Sequence, residues 1–259
     1  MTVQPRISLI ITIYNRECYL AETLGSILRQ SETNLELLIW DDGSTDNSPA
    51  IAQQYAAQDP RIRYIRSPTN QGCAQALKSA IAQTTAPYIA WVDSDDLLHP
   101  TALAKTAAIL DKYQSVGLVY TRYNVIDAAG KFLGLGKRSQ TLYSKNQLLT
   151  LLVTFHFRLI RRSVYDQIGG IDTDFPCAID YDLCLRLSEV TDVYHIPEPL
   201  YDYRVHPDSI SIKRQAEQQY WSKVAVERAL KRRGLDSKYR LYVSDEGKFS
   251  LLKKDAGLL

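Results

Sequence analysis

The sequence predicts an α/β fold in which helices flank a mainly parallel sheet. Short apolar segments rich in β-branched residues alternate with helix-like segments in the first part of the chain, and this order is typical of parallel strands joined by helical crossovers. The chain has 259 residues, of which 45% are hydrophobic and 23% charged. This composition predicts one folded domain and excludes disordered and fibrous proteins.

The first unit combines a strand, a polar loop and a helix. Ile7–Ile13 is a continuous β-branched run, which is typical of a strand buried on both faces. Asn15 is expected to cap a helix over residues 17–28. The loop between them would hold Tyr14 and Arg16 at the carboxyl end of the strand.

The same order is repeated twice and is followed by a fourth strand. Predicted strands cover residues 35–40, 62–66 and 88–92, and predicted helices cover residues 49–57 and 73–83. Parallel strands end at a common edge of the sheet, where ligands bind in such folds. The polar residues that follow the strands are therefore expected to converge on one edge.

Beyond residue 100 the pattern is less regular. A helix and a strand over residues 118–123 precede a hairpin-like stretch at residues 127–138. No regular element is predicted between residues 137 and 159. Residues 215–233 are predicted to form an amphipathic helix, which would belong to a C-terminal helical appendage.

Bulk charge and cysteine use restrict the functional classes. The 31 Lys and Arg residues against 29 Asp and Glu leave a net charge of +2, which is too balanced for a nucleic-acid-binding protein. The 4 cysteines have no CxxC spacing, so a zinc site and a disulfide scaffold are excluded, and the cysteine pattern is consistent with a reducing cytoplasm.

No apolar run approaches the roughly 20 residues that span a bilayer, and we expect a soluble or peripheral protein.

The C-terminal end is locally basic. It could form a solvated helix face, which is the favoured interpretation, or a patch that contacts anionic lipid headgroups. Its basic residues are Lys213, Arg214, Lys231, Arg232, Arg233, Lys238 and Arg240.

Two acidic loops are candidates for chemistry. The Asp93-Ser94-Asp95-Asp96 cluster places three carboxylates at a strand end, where like charges repel unless a cation or proton lies among them. It predicts either a Mg²⁺ or Mn²⁺ site that also takes diphosphate oxygens, or a helix cap with solvated neighbours. Asp41 begins the second loop, which is either an ordinary turn or a place where this carboxylate accepts hydrogen bonds from a nucleobase or ribose.

Seven segments in order resemble the inverting glycosyltransferase family 2, whose members have the Rossmann-like GT-A fold. They are ISLIITIYN, IWDDGSTDNS, NQGCAQALKSAI, YIAWVDSDD, HFRLIRRSVYDQIGGID, AIDYDLCLRL and YRVHPDSIS. The resemblance implies transfer of a sugar from a nucleoside-diphosphate sugar, with UDP as the expected nucleotide, to an acceptor hydroxyl. It also implies a GT-A domain at residues 1–212, with a nucleotide-sugar-binding half at 1–99, an acceptor-side half at 100–212 and a helical extension at 213–259.

The resemblance further implies roles for individual residues. Asp180 corresponds to the catalytic base, and Asp95 and His206 correspond to ligands of a divalent metal, Mn²⁺ or Mg²⁺. From the residues alone, Asp180 would be a helix-capping aspartate and His206 a structural hydrogen-bonding histidine. The implied donor-binding residues are Thr12, Tyr14, Arg16, Asp41, Lys78, Asp93, Ser94 and Asp95.

The chain departs from the family pattern at three places. Leu77-Lys78 stands where many relatives have Arg-Asn, and Ile179-Asp180 stands where they often have Glu-Asp. The QxxRW signature of processive relatives is absent, which favours a single transfer per encounter. Two alternatives stay open: a catalytically impaired sugar-nucleotide-binding protein, and a nucleotidyltransferase, although the latter's glycine-rich phosphate loop is missing after the first strand.

The expected partners follow from the same resemblance. They are a nucleoside-diphosphate sugar and an acceptor hydroxyl on a glycan, a lipid-linked molecule or another carrier, with no nucleic acid. The expected location is the cytoplasm, and peripheral association with the inner face of the membrane is left open.

Overall fold

The computed structural model describes residues 4–207 and 209–254. The predicted domains extend into residues 1–3 and 255–259, and the YRVHPDSIS segment contains Asp208. These residues lie outside the described ranges.

The strands are β1 (Ile7–Ile13), β2 (Leu35–Asp41), β3 (Ile62–Arg66), β4 (Tyr88–Trp91), β5 (Leu97–Leu98), β6 (Val116–Ile126), β7 (Phe132–Leu135), β8 (Arg158–Arg161), β9 (Asp192–Arg204), β10 (Tyr239–Val243) and β11 (Phe249–Lys253). The helices are α1 (Leu20–Leu28), α2 (Ser48–Gln58), α3 (Cys73–Ala82), α4 (Ala102–Lys112), α5 (Arg162–Gln167), α6 (Ile179–Val190), α7 (Ile210–Lys213) and α8 (Gln215–Arg232), with 3₁₀ turns at Arg138–Gln140 and Gln147–Leu149.

One large sheet forms the centre of the molecule. Its strand order is β3-β2-β1-β4-β8-β6-β9-β5, and β7 pairs with the end of β6. The first four strands in this order are parallel. Because β8 is antiparallel to both β4 and β6, β6 runs in the same direction as the first four strands, and β9 is parallel to it. The predicted mainly parallel sheet is therefore confirmed.

Helices cover both faces of this sheet, and β1 shows why. Successive side chains of a strand point to opposite faces. Leu9 and Ile11 belong to a core cluster that includes residues of α1 and α4, whereas Ile10 belongs to a second cluster with residues of α3, α6 and α8. All three side chains are fully buried, so β1 is buried on both faces as its apolar run predicts.

The C-terminal segment differs from the predicted helical extension. It contains the expected helix α8, but β10 and β11 then form a two-stranded antiparallel hairpin. Val226 and Leu230 of α8 are buried in the second core cluster, together with Leu183 and Leu187 of α6. The segment is therefore packed into the body of the domain and is not a separate appendage.

The length and charge of the helices bear on membrane insertion. The longest described helix, α8, has 18 residues and includes several charged side chains. Within residues 4–207 and 209–254, no helix combines the length and the hydropathy that crossing a bilayer requires.

Candidate active site

Side-chain hydrogen bonds hold together the loops that follow β1 and β2. The Asn15 side-chain oxygen accepts a hydrogen bond from the backbone N–H of Thr45 at 2.9 Å, and the Ser44 hydroxyl accepts one from the N–H of Asn15 at 3.1 Å. The Ser48 hydroxyl accepts from the N–H of Arg16 at 2.8 Å. These bonds fix Arg16 at the carboxyl edge of the sheet, beside the second loop.

The first helix begins later than the sequence predicts. Helix α1 starts at Leu20, and Asn15 has a φ of 54°. Asparagine tolerates this left-handed conformation better than most residues because its short polar side chain can bond locally. Asn15 therefore turns the chain and bridges two loops instead of capping a helix, and the predicted helix start at residue 17 is wrong.

Asp41, at the end of β2, is enclosed by three partners. Its carboxylate accepts hydrogen bonds from the N–H of Ser44 and the hydroxyl of Tyr64, both at 2.8 Å. The Nε of Arg66 lies 3.3 Å from it, and no part of the Asp41 side chain is exposed. Burial and the bond to Asp41 raise the pKa of Tyr64, so this hydroxyl stays a donor. Arg66 is half exposed and is the partner that a ligand could displace.

The loop before α3 explains one departure from the family pattern. The Asp42 carboxylate accepts hydrogen bonds from the backbone N–H groups of Gln71 and Gly72, at 3.0 and 2.9 Å. Gly72 has a φ of 87°, which favours glycine at this turn. Behind it, Leu77 is buried in the second core cluster, whereas Lys78 is exposed. Leu77 is thus a packing residue, and Lys78 is accessible from solvent.

The other donor-binding residues implied at β1 and β4 differ in exposure. Thr12 is partly buried within β1, and Tyr14 at its end is 45% exposed. Ser94 is buried, and its carbonyl oxygen accepts a hydrogen bond from the Thr23 hydroxyl at 3.2 Å. Tyr14 therefore offers an open aromatic surface at the sheet edge, while Ser94 ties the acidic loop to α1.

Asp93 contacts residues from the second half of the chain. Its backbone N–H donates to the Tyr201 hydroxyl at 3.2 Å, and its Oδ2 is 3.5 Å from Nε2 of His156. The His156 ring stacks on the Tyr201 ring with centroids 4.6 Å apart. Strand β9 and the residues just before β8 thus support the acidic loop that follows β4.

Asp95 and His206 are in direct contact. Their Oδ2 and Nε2 atoms are 2.9 Å apart, and the Nε of Arg16 lies 3.4 Å from the same oxygen. The second ring nitrogen of His206, Nδ1, is buried and has no hydrogen-bond partner among the described residues. The structure therefore brings together the two residues for which the resemblance implies metal binding, with Arg16 beside them.

Arg204 supports the acidic loop through hydrogen bonds to Asp95 and Asp96. Arg204 is buried, and its backbone N–H donates to Asp96 Oδ1 at 2.7 Å. Its side-chain Nε donates to the Asp95 carbonyl oxygen at 2.7 Å, and its Nη2 donates to Glu22 at 2.6 Å. Because these bonds occupy Arg204, we assign it to the support of the loop and not to ligand contact.

Asp180 belongs to the first turn of α6. The residue before this helix is Ala178, with a φ of 56°, and no side chain caps the helix. Asp180 Oδ2 accepts a hydrogen bond from Nη1 of Arg158 at 3.2 Å, and its side chain is 25% exposed. The Asp180 carboxylate thus has two partners: its Oδ1 accepts a hydrogen bond from the backbone N–H of Tyr181 in the first turn of the helix at 2.9 Å, and its Oδ2 pairs with the buried Arg158.

Arg158 links Asp180 to the acidic loop after β4. Desolvation at the crowded cleft floor and the nearby Asp95 charge raise the pKa of Asp93 to about 7. The Arg158 charge lowers the pKa of Asp93 and the Asp180 charge raises it. Arg158 donates a hydrogen bond to Asp180 at 3.2 Å and lies over the ring of Trp91, with its guanidinium 5.4 Å from the ring centroid. About half of the Asp93 side chain still faces the cleft. Arg158 thus connects Asp180 to the end of β4, from which the acidic loop extends.

Two groups of side chains have the donor atoms that a divalent metal needs. One is the Asp95–His206 pair. The other comprises Asp93, Asp96 and His156, whose potential ligand atoms all lie within 4.8 Å of one another. Burial and the nearby Arg158 lower the pKa of His156 well below its usual value, which keeps the imidazole neutral and able to act as a ligand. Asp96 Oδ2 is buried without a hydrogen-bond partner in the described part of the chain. Carboxylate oxygens and neutral imidazole suit Mn²⁺, so the residues present fit a metal.

Sequence reasoning missed His156 and Arg158 as site residues. Both lie in or next to the stretch at residues 137–159, where no regular element was predicted and none forms except the two 3₁₀ turns and the start of β8. The available signal was chemical: both are polar residues in an otherwise apolar run, FHFRLI. Buried polar groups require partners, and here those partners are Asp93 and Asp180.

Comparison with known proteins places this site in a family. The sequence matches the model of Glycosyl transferase family 2 over residues 8–169, which is more than half of the chain. The chondroitin synthase of Escherichia coli is 34% identical over 210 residues, covering 81% of this chain and 30% of the synthase. The chain thus spans less than a third of that relative's length.

Solved structures show the same fold. The mannosyltransferase PcManGT from Pyrobaculum calidifontis, in complex with GDP-Man and Mn²⁺, matches with a TM-score of 0.68 at 22% identity, over 88% of this chain and 65% of that one. TarS 1-349 from S. aureus, in complex with UDP-GlcNAc, matches with a TM-score of 0.67 at 16% identity, over 97% of both chains. These likenesses confirm the expected GT-A fold. With the acidic loop and the family match in agreement, the chain belongs to glycosyl transferase family 2.

Proposed function

We propose that the protein is an inverting, metal-dependent glycosyltransferase that moves a sugar from a UDP-sugar to an acceptor hydroxyl. The observation that carries the proposal is that Arg158 bonds to Asp180 at 3.2 Å and lies over the ring of Trp91, two residues before Asp93, although Asp180 is more than eighty residues away in sequence. Membership of the family supports sugar transfer as the reaction. The acceptor is a hydroxyl on a glycan, a lipid-linked molecule or another carrier.

The nucleotide would bind across the ends of β1 and β2. Tyr14 offers an exposed ring there, and Asp41 can accept a hydrogen bond from the uracil imide after the half-exposed Arg66 moves aside. Lys78 and Arg16 supply positive charge near the diphosphate, with Thr12 and Ser94 lining the same edge. The bound UDP-GlcNAc of the S. aureus neighbour supports uridine as the base, and the GDP-Man of the P. calidifontis neighbour makes guanosine the competitor to test.

A divalent cation, Mn²⁺ or Mg²⁺, would be held by Asp95 and His206. When bound, it would stabilise the negative charge that develops on the departing diphosphate. Asp93, Asp96 and His156 form the alternative ligand group. The Mn²⁺ in the P. calidifontis mannosyltransferase supports a metal-dependent reaction for this fold.

Asp180 would act as the general base. Its carboxylate takes the proton of the acceptor hydroxyl while the acceptor oxygen forms a bond to the anomeric carbon. The bond from that carbon to the diphosphate oxygen breaks, and the nucleoside diphosphate leaves with the electron pair. Attack from the face opposite the leaving group inverts the anomeric centre. Arg158 holds the Asp180 side chain in place at 3.2 Å.

The two alternatives gain no support from the site. Leu77 is buried, and Ile179 packs against the second core cluster, so packing alone accounts for both departures. The loop after β1 contains Tyr14, Asn15 and Arg16 in place of the glycines that cradle a triphosphate. Transfer of a sugar therefore remains the function that the site supports best.

A donor screen tests the proposal. The purified chain is incubated with Mn²⁺ and UDP-, GDP- or dTDP-sugars, and release of the nucleoside diphosphate is measured. We expect slow hydrolysis of one UDP-sugar, loss of the activity in EDTA and its recovery with added Mn²⁺. Donor binding by calorimetry without any release would favour the impaired binder, and pyrophosphate release from a nucleoside triphosphate would favour the nucleotidyltransferase.

A further inference from the structure

One surface segment has an unusual charge composition. Between Asp127 and Asp166 the sequence contains no acidic residue. The exposed part of this stretch, residues 128–147, runs from the turn before β7 to the second 3₁₀ turn. We name it the 128–147 surface.

Among the side chains that the structure describes, most of the strongly exposed aliphatic and phenyl groups belong to this surface. Phe132 is 60% exposed, Leu133 58% and Leu142 85%. Among the described residues, Ile212 is the one other Phe, Leu, Ile or Val side chain that is more than half exposed. Scattered apolar side chains on a surface need no explanation, but several in one segment indicate a contact surface.

Four basic side chains accompany them: Lys131, Lys137, Arg138 and Lys145, all exposed. None forms an ion pair with a residue in the described ranges; Arg138 instead lies over the Phe155 ring at 4.8 Å. With no acidic residue in the segment to compensate them, these charges give the 128–147 surface a positive field.

The basic C-terminal end is different, although the sequence made it the first candidate for lipid contact. There Arg214 pairs with Glu217, and Arg232 and Arg233 both pair with Glu189. These acidic partners neutralise much of its charge, and this supports the interpretation of the C-terminal basic residues as a solvated face.

We propose that the 128–147 surface docks the protein onto an anionic lipid bilayer. Lysine and arginine headgroups would contact anionic phosphates, while Phe132, Leu133 and Leu142 enter the boundary between headgroups and acyl chains. This combination of exposed large apolar side chains with basic neighbours is the chemistry of interfacial membrane binding.

The location of this surface relates it to the cleft. Arg138 contacts Phe155, whose ring packs edge-on against His156 with centroids 4.4 Å apart. His156 in turn lies 3.5 Å from Asp93. A bilayer held at the 128–147 surface would thus lie beside the catalytic cleft, which favours a lipid-linked acceptor. That last step rests on the proposed function, whereas membrane binding itself does not.

Vesicle sedimentation tests the docking surface with the full chain. Vesicles of phosphatidylcholine alone are compared with vesicles containing about one third phosphatidylglycerol. We expect binding to the anionic vesicles, weakening with salt because exposed charges are screened. Substituting Lys131, Lys137 and Lys145 with Gln should weaken it by roughly fivefold per charge, and Phe132→Ser with Leu142→Ser by roughly tenfold per side chain.

Matched variants at the C-terminal end make the result specific. Substituting Lys231, Lys238 and Arg240 with Gln removes the same number of positive charges, and Tyr220→Ser with Tyr242→Ser removes two exposed rings. These variants should bind vesicles nearly as well as the unmodified protein. Absence of binding to anionic vesicles, or equal losses in both sets of variants, would overturn the proposal. Because vesicle binding needs no donor, its failure is distinguishable from failure of the transferase proposal.

Discussion

The two halves of the sheet differ in how their strands are connected and paired. In residues 4–99, β1, β2 and β3 are each followed by a loop and a helix, and these three strands lie side by side in sequence order. In residues 100–207, β8 inserts between β4 and β6, and β9 pairs with β6 and with β5, whose residues lie more than a hundred positions before their partners in β9.

This difference separates two tasks within one site. The first half presents the acidic loop and the nucleotide edge through local strand-to-helix turns. The second half supplies His156, Arg158, Asp180 and His206, which reach the cleft only because distant strands pair. The chemistry is therefore expected to depend on the second half, and recognition of the nucleotide on the first.

The largest expected effect separates these tasks directly. Asp180→Asn keeps the size of the side chain but removes the proposed base, so kcat should fall by roughly 10² to 10⁴. The affinity for the UDP-sugar, measured by calorimetry, should stay nearly constant because the donor binds to the other half. Asp174→Asn, in an exposed loop, is the matched control and should retain full activity. A fall in kcat of less than tenfold would contradict the assignment of the base.

A stability measurement tests whether the C-terminal segment belongs to the second half. Leu230 is only 3% exposed within the core cluster that contains α6. Leu230→Ala should lower the free energy of unfolding by about 2–4 kcal/mol through lost packing and a residual cavity. The neighbouring exposed substitution Lys231→Ala should change it by less than about 0.5 kcal/mol. Equal, small effects in urea unfolding would mean that the segment is an appendage after all.

Metal binding shows which of the two ligand groups holds the cation, since each combines a carboxylate of the first half with a histidine of the second. Asp95→Ala should lower the Mn²⁺ affinity by about tenfold to a hundredfold, since even supporting residues of metal sites have effects of that size. His156→Ala should change it little if Asp95 and His206 are the ligands. If His156→Ala has the larger effect in a Mn²⁺ titration, the Asp93, Asp96 and His156 group holds the metal.

The smallest expected effect concerns pH and Asp93. Its pKa is raised from 3.8 to about 7, so the carboxyl binds a proton at pH 6 that a cation must displace. Mn²⁺ affinity should therefore rise by about fivefold from pH 6 to pH 7, reach about tenfold by pH 8 and level off above it. In the metal-free protein, a raised pKa means that stability falls as pH increases through this range. Asp93→Asn should flatten both profiles, and an unchanged pH profile in that variant would exclude Asp93 as the titrating group.

Much of the site could be predicted because acidic residues follow predicted strands. Asp41, Asp93 and Asp95 lie at the sheet edge where the order of strands and helices required them. The enclosure of Asp41 by Tyr64 and Arg66 was not predictable, because it depends on β3 lying beside β2. The left-handed turn at Asn15 was also not predictable from the sequence, since asparagine serves equally well as a helix cap or in a tight turn.

The sequence by itself determined the α/β class, the strands of the first half and the acidic loop after β4, because these depend on local periodicity and on the direction of parallel strands. Only the tertiary structure decided which distant groups face that loop, how Arg158 pairs with Asp180, and that α8 packs against α6. Such contacts arise when strands and helices far apart in the chain bury apolar surface together, and no short stretch of residues encodes that pairing.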